Sequence, residues 1–298
     1  MPELETFHGG YLWNYVPNLP AAIVFATLFT LATFMHTWRM CRKEMWFCVP
    51  FVIGGVCEVL GYITRAISTN ATGNLVLFLV QSIFLLLPAV FFAATLYMVY
   101  SRVIRAVDGE RFSLVTTRRT TIYFVVGDFA CLNVQSTGGG LLGSSTDSTV
   151  KIGQYMVVAG LILQILMFAA FVGCCLVFQM RYQAHLSTAA DATARSHDSI
   201  LWYACLYMLY GTSAAILLRN LYRVVEFVMG KDGYLMQSEW PVYAFDAAPM
   251  LLVMIVFYIW YPSQLQPVYH RPDSATELMV ITNAHTDHEH SVKTMSSV

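Results

Sequence analysis

Long apolar runs separated by short polar segments dominate the hydropathy pattern of the chain. A helix that crosses the hydrocarbon core of a bilayer needs about 20 mostly apolar residues, and runs of that length recur from end to end. The pattern therefore predicts an all-α, polytopic membrane protein folded as a seven-transmembrane-helix bundle. The predicted spans cover about residues 17–38, 46–67, 74–100, 120–142, 152–180, 199–220 and 240–261.

The distribution of lysine and arginine predicts the orientation of this bundle, because cytoplasmic loops retain these residues. With the N-terminus outside, the inner segments hold twelve of the 17 basic residues and the outer segments hold three. We therefore expect an outside N-terminus and a cytoplasmic C-terminus. Because all seven predicted spans lie before residue 263, we predict that residues 1–262 form the membrane domain. Residues 263–298 are polar and poor in aromatic side chains, which predicts a disordered cytoplasmic tail.

Composition excludes several classes of protein. Hydrophobic residues make up 57% of the chain and charged residues 12%, against about 45–50% and 25% in soluble domains. A soluble enzyme or a disordered protein would need far more charge. The net charge of −1 provides no basic surface for a polyanion, so we expect no nucleic-acid partner. No motif suggests a metal, a cofactor or catalysis, so the prediction is a non-enzyme without cofactors.

The predicted outer loops contain one candidate site of covalent modification and no cysteine. None of the seven cysteines lies in a predicted outer loop, so we expect no disulfide. Asn70-Ala71-Thr72 is an N-glycosylation sequon in a predicted outer loop, which makes Asn70 a candidate glycosylation site.

Ionisable and polar side chains at helix depth are the candidate functional residues, because they are costly in a membrane and often mark a transport pathway. In the second span, Glu58, Tyr62 and Arg65 recur at spacings that place them on one helix face. The sixth span presents a similar face. The candidates for substrate binding and translocation are Glu58, Tyr62, Arg65, Gln81, Asp128, Gln135, Arg219, Arg223, Glu226, Glu239, Tyr243 and Asp246.

Depth along the helices sorts these candidates. Most lie in the outer third of the membrane, whereas Glu58 lies near mid-depth and Asp128 in the inner half. We expect a polar pocket open to the outside, in which Arg65 or Arg219 pairs with Asp246. A purely structural role stays open for these pairs, because an intramembrane ion pair also fixes helix register. Gln81 and Gln135 are expected to form hydrogen bonds between helices.

The segment Glu58-x-x-Gly61-Tyr62-x-x-Arg65 resembles the second-helix signature of the fungal lipid-translocating exporter family. Further elements of the same family agree in order over about residues 15–262. They are Gln81 with Pro88, Ala93, Ala94 and Tyr97; Asp128 with Gln135 and Gly138; Gly160-Leu161-x-x-Gln164; and Arg219-x-x-Tyr222-Arg223-x-x-Glu226, followed by Gly230, Glu239, Tyr243, Asp246, Pro249 and Met250.

This resemblance implies an exporter of amphiphilic lipids or lipid-like toxic compounds, such as sphingoid long-chain bases, that confers resistance. It implies membrane lipids and an amphiphilic small molecule as partners and leaves protein partners open. We expect the plasma membrane rather than an internal membrane.

Other seven-helix classes fit the sequence less well. A retinal protein needs a lysine in the seventh span, which has none. A membrane zinc hydrolase needs several histidines near the metal, but only His36 lies within a span. The sequence contains no phosphate-binding loop for an ATP-driven pump. A non-transporting lipid sensor or receptor remains open beside the transporter.

Overall fold

The part of the chain that the structure describes contains seven long helical segments, as the hydrophobic pattern predicts. The structure is a computed structural model. It describes residues 6–7, 10–11, 15, 17–107, 109–113, 117–144, 146–188, 198–230 and 233–260. The predicted tail, 263–298, lies outside the described residues.

Two short antiparallel strands of two residues each, β1 (Thr6–Phe7) and β2 (Gly10–Tyr11), precede the first span. Each of the first six spans is a single helix. The side chains of Asn18 and Asn74 cap the first and third helices by accepting hydrogen bonds from backbone N–H groups of the first turn. The helices are α1 (Leu19–Arg42), α2 (Val49–Ser68), α3 (Leu75–Ala106), α4 (Thr117–Leu141), α5 (Asp147–Thr188) and α6 (Asp198–Met229).

The seventh span is interrupted near its beginning. After the short helix α7 (Tyr234–Gln237), the span starts with α8 (Trp240–Val242), passes through a π-helical turn, Tyr243–Ala247, and continues as α9 (Ala248–Ile259). A π-helical turn is rare and occurs often at functional sites. Here it carries two of the candidate residues, Tyr243 and Asp246.

The length and hydropathy of the helices indicate that the protein is inserted in a membrane. Among the described residues, five helices are long and apolar enough to cross a bilayer: Leu19–Arg42, Trp46–Ser68, Leu75–Ala106, Ser148–His185 and Trp240–Ile259. The helices α4 and α6 are less apolar, because α4 is rich in threonine and glycine and α6 carries the buried Arg219 and the half-buried Arg223. Many large apolar side chains, among them Ile23, Phe34 and Leu166, are exposed on the bundle surface, where lipid would cover them. The chain is an integral, multi-pass membrane protein.

Helices that follow one another in the sequence pack side by side, and α6 also packs against α3 and α9. The α4–α5 contact depends on glycine. A Cβ atom added to Gly138 would lie 2.7 Å from the carbonyl oxygen of Gly153, and a Cβ added to Gly153 would lie equally close to the carbonyl oxygen of Gly138. Small residues at such a contact let two backbones approach closely.

Candidate functional site

Seven buried or half-buried charged residues gather where α2, α6 and the seventh span meet. Sequence spacing placed the members of each helix on a shared face, and the fold turns these faces toward one another. We call this group the charged cluster. Its members are Glu58, Arg65, Arg219, Arg223, Glu226, Glu239 and Asp246.

Arg65 binds Glu239 and two tyrosine hydroxyls. Its Nη2 donates to Glu239 Oε1 at 2.8 Å and to Tyr15 Oη at 2.9 Å, while its Nε donates to Tyr243 Oη at 3.2 Å. Glu239 also accepts hydrogen bonds from Tyr243 Oη, at 2.9 Å, and from the backbone N–H of Asn18, at 2.8 Å. The N-terminal end of α1 is thereby attached to the charged cluster.

Asp246 bridges two arginines of α6. Arg223 binds it through two hydrogen bonds, Nε to Oδ1 at 3.0 Å and Nη2 to Oδ2 at 2.5 Å. Arg219 Nε lies 3.0 Å from Oδ1 as an ion pair, and Arg219 Nη2 donates to the backbone carbonyl of Leu85. Arg223 Nη1 also donates to Glu226 Oε2 at 3.0 Å. Of the two arginines expected as partners of Asp246, Arg219 forms the pair, and Arg65 binds Glu239 instead.

Glu58 differs from the other carboxylates of the charged cluster. It is 2% exposed, and among the described residues its side chain forms no hydrogen bond and no ion pair. It is close enough to Asp246, Arg219 and Arg223 to interact with their charges. With every member ionised, the charged cluster has four carboxylates and three guanidiniums. Glu58 is therefore the carboxylate left without a directly bound cation.

Exposure rises through the charged cluster toward one end of the bundle. The side chains of Arg65 and Arg219 are 2% and 1% exposed, whereas those of Arg223 and Glu239 reach 12% and 15%. At this end α2 and α6 terminate and the seventh span begins. Burial raises the pKa of the neighbouring Tyr15 hydroxyl, although the charge of Arg65 acts in the opposite direction. The charged cluster thus approaches the surface on the side of the N-terminal segment.

An aromatic stack separates the charged cluster from α1. Phe25 of α1 stacks on Tyr62 and Tyr243 with ring centroids 5.8 and 5.0 Å apart, and Phe29 stacks on Tyr62 at 5.4 Å. The hydroxyl of Tyr62 is buried and has no hydrogen-bond partner among the described residues. These rings close the side of the charged cluster that faces the first helix.

Two candidates, Asp128 and Gln135, form hydrogen bonds with residues outside the charged cluster, and within the described residues no hydrogen bond joins Gln81 to it. Tyr97 Oη donates to Asp128 Oδ2 at 2.6 Å, and Asp128 Oδ1 has no hydrogen-bond partner among the described residues. Leu85, whose carbonyl binds Arg219, and Tyr97 are twelve positions apart, which is about 18 Å along α3.

The two glutamines differ in their contacts. Gln135 Nε2 donates to Gln164 Oε1 at 2.7 Å, which joins α4 to α5 as expected. Gln81 is 5% exposed, and within the described part of the chain its Oε1 accepts no hydrogen bond. The expected role of Gln135 between helices is therefore observed, whereas Gln81 shows no such bond through its oxygen.

A groove of about 690 Å³ lies between α1 and the end of α2, on a face of α2 different from the one that carries Glu58, Tyr62 and Arg65. Residues 19–31 of α1 and 63–71 at the end of α2 line it, and we call it the α1–α2 groove. The candidate glycosylation residue Asn70 is exposed and lines one end, while none of the twelve candidate translocation residues lines it. This apolar groove is therefore not the polar pocket expected around Glu58.

Tyr15, Asn18 and Gln164 contact the candidates but were not predicted as site residues. Tyr15 and Asn18 precede α1, where no hydrophobic periodicity indicates which way a residue faces. For Gln164 the signals were a glutamine in an apolar span and its place in the motif Gly160-Leu161-x-x-Gln164. Among the described residues, no group of three or more His, Cys, Asp or Glu side chains is arranged to hold a metal ion.

Comparison with known proteins links the chain to one family. The family model described as "RTA1 like protein" matches residues 51–268, which include most of the second span and all of the third to seventh spans. Protein RTM1 of Saccharomyces cerevisiae is 34% identical over 211 residues, which make up 71% of the chain and 66% of that relative, just under two thirds of its length. No solved structure matches the chain.

Two further relatives of Saccharomyces cerevisiae match over most of the chain. Protoporphyrin uptake protein 1 is 30% identical over 287 residues, covering 85% of the chain and 92% of the relative. Sphingoid long-chain base transporter RSB1 is 28% identical over 299 residues, covering 88% of the chain and 76% of the relative. Both names denote uptake or transport of a compound rather than catalysis.

Proposed function

Because the chain belongs to the RTA1-like family, we propose that it is a membrane transporter that exports amphiphilic lipids or lipid-like toxic compounds and so confers resistance. Sphingoid long-chain bases are the proposed substrate class, and the plasma membrane is the proposed location. The similarity to a relative named as a sphingoid long-chain base transporter supports this choice. The multi-pass bundle and its buried charged residues support transport across a bilayer rather than chemistry on a soluble substrate.

The observation that carries the proposal is the unpaired carboxylate of Glu58. A buried carboxylate without a cation is costly inside a membrane, and a bound amine would supply the missing positive charge. A long-chain base carries such an amine on an apolar chain. Glu58 is therefore proposed to bind the amine, while Arg65, Arg219 and Arg223 keep the other carboxylates of the charged cluster occupied.

Growth in the presence of a long-chain base tests this role of Glu58. The variant Glu58→Gln keeps the shape of the side chain but cannot neutralise an amine. A hydrogen bond to a charged group contributes about 1.5–3 kcal/mol, so we expect about tenfold to hundredfold weaker protection. The measurement is the concentration of long-chain base that halves growth, alongside the amount of protein in the membrane.

Glu110→Gln is the matched control, because Glu110 is 59% exposed and its contact with Arg105 lies outside the bundle. It should protect as well as the unmodified protein. Unchanged protection by Glu58→Gln at equal protein level would refute the role of Glu58 in substrate binding.

A non-transporting lipid sensor is the second candidate function. The ion pairs and the aromatic stack that enclose the charged cluster are compatible with a protein that binds an amphiphile without moving it. A sensor would bind the same amine but produce no flux in vesicles that contain only this protein. Flux therefore separates the two functions.

A further inference from the structure

The α1–α2 groove is open to the lipid side of the bundle. Both helices that form it are membrane-spanning, so hydrocarbon is the medium that faces it. Large apolar side chains, including Ile23, Leu31 and Ile67, stand along its walls at 50%, 56% and 53% exposure. The smaller Ala26 and Ala66 leave the space between them.

The polarity of the α1–α2 groove changes from one end to the other. Its two threonine hydroxyls are already used within α1, because Thr27 donates to the carbonyl of Ile23 at 2.8 Å and Thr30 to that of Ala26 at 2.7 Å. Along the groove, these hydroxyls therefore need no hydrogen bond from an occupant. At the end near the charged cluster, Asn70 presents an exposed amide. An occupant that matches this surface is apolar along its length and polar at one end.

The length of the α1–α2 groove matches one leaflet of the bilayer. From Leu19 to Leu31, α1 rises by about 18 Å. The hydrocarbon core is about 30 Å thick, so a single leaflet contributes about half of that. The polar end at Asn70 lies just after the end of α2, and the other end lies at Leu31, near the middle of α1. A lipid chain in that leaflet runs in the same direction.

We propose that the α1–α2 groove binds the single hydrocarbon chain of a membrane amphiphile, with its polar head at Asn70. The groove and Arg65 of the charged cluster lie on different, adjoining faces of α2 near its C-terminal end. Phe25 of α1 stacks on Tyr62 and Tyr243 beside the charged cluster. The inference rests on the proposed function in one respect: the chain bound here is that of the exported amphiphile before its amine reaches Glu58.

Photolabelling tests this site without any transport measurement. The probe is a long-chain base that carries a diazirine in its alkyl chain, mixed at low mole fraction into phosphatidylcholine vesicles that contain the purified protein. After illumination, mass spectrometry locates the labelled residues. We expect the label to concentrate in residues 19–31 and 63–71, and excess unlabelled long-chain base should compete for it.

Two variants that fill the α1–α2 groove sharpen this test. Ala26→Phe and Ala66→Phe should each displace about two methylene groups of the bound chain, which lowers labelling of the groove about tenfold. Ala169→Phe is the matched control, because Ala169 is exposed on the lipid-facing side of α5 outside the groove. It should leave labelling unchanged. Because all three side chains contact lipid, folding is checked by thermal unfolding of each variant.

The outcomes distinguish this site from the proposed function. Label in the groove that persists in Glu58→Gln supports the site, even where growth protection is lost. Label spread evenly over α5 and the other lipid-facing helices would overturn it, as would unchanged labelling in both groove variants. If Ala26→Phe and Ala66→Phe instead dissociate an oligomer, a second copy of the chain covers the groove and the proposal is wrong.

Discussion

At the scale of single residues, the arrangement of the charges is governed by the cost of leaving one unpaired in a membrane. Asp246 satisfies two guanidiniums at once, and Glu239 satisfies the third. Sequence reasoning found these residues because charged side chains are rare in apolar runs. It left open whether Arg65 or Arg219 pairs with Asp246, and the structure shows that Arg219 forms this pair while Arg65 binds Glu239. Depth along a helix does not show which of two arginines lies beside a given carboxylate.

Two aspartate-to-asparagine variants compare how much the two buried aspartates contribute to the free energy of unfolding. Asp246→Asn leaves Arg219 and Arg223 buried without their counter-charge, which should cost about 3–5 kcal/mol. Asp128→Asn keeps an oxygen that accepts the hydrogen bond of Tyr97, and no ion pair to Asp128 exists in the described residues. It should cost about 1 kcal/mol or less. Thermal unfolding of purified protein in detergent measures both, and equal losses would contradict this account.

At the scale of helices, hydropathy predicted that all seven spans exist. A run of about 20 mostly apolar residues is typical of a helix that crosses the bilayer and is not found on a surface exposed to water. It predicted the helix ends less well. The fifth helix runs Asp147–Thr188 rather than 152–180, since a helix continues beyond the hydrocarbon wherever its backbone bonds persist. The π-helical turn Tyr243–Ala247 was not predicted, because one extra residue in a turn barely alters an apolar run.

The α4–α5 contact predicts opposite effects for two adjacent glycines. Gly138→Ala places a Cβ 2.7 Å from the carbonyl oxygen of Gly153 and should cost about 1–3 kcal/mol through overpacking. Gly139→Ala meets no atom within 4 Å. It should stabilise α4 by up to about 1 kcal/mol, because alanine has the higher helix propensity. The midpoint of thermal unfolding should therefore fall for the first variant and rise for the second. A fall of similar size in both would show that close helix approach is not the reason.

At the scale of the whole molecule, nine of the twelve candidate residues belong to the charged cluster or contact it. The other three, Gln81, Asp128 and Gln135, could not be separated from them by sequence alone. Spacing assigns residues to a face of one helix, but it does not indicate which helices become neighbours. The α1–α2 groove had no sequence signal, because apolar residues that face lipid look the same as those that form a lipid-binding surface.

Two surfaces of the whole molecule are proposed to act on the same amphiphile. The apolar α1–α2 groove receives its chain, and the charged cluster offers its amine the unpaired carboxylate of Glu58. This division predicts selectivity for charge. A long-chain base whose amine is acetylated keeps its chain but loses its positive charge, so the protein should not move it.

Flux in vesicles that contain only this protein tests that claim most directly. The measurement compares the rates at which a labelled long-chain base and its N-acetylated analogue cross the bilayer, with the unmodified protein and with Glu58→Gln. We predict protein-dependent movement of the amine, little movement of the acetylated compound, and loss of amine movement in Glu58→Gln. Equal movement of both compounds, or an unchanged rate in Glu58→Gln at equal protein content, would contradict the account.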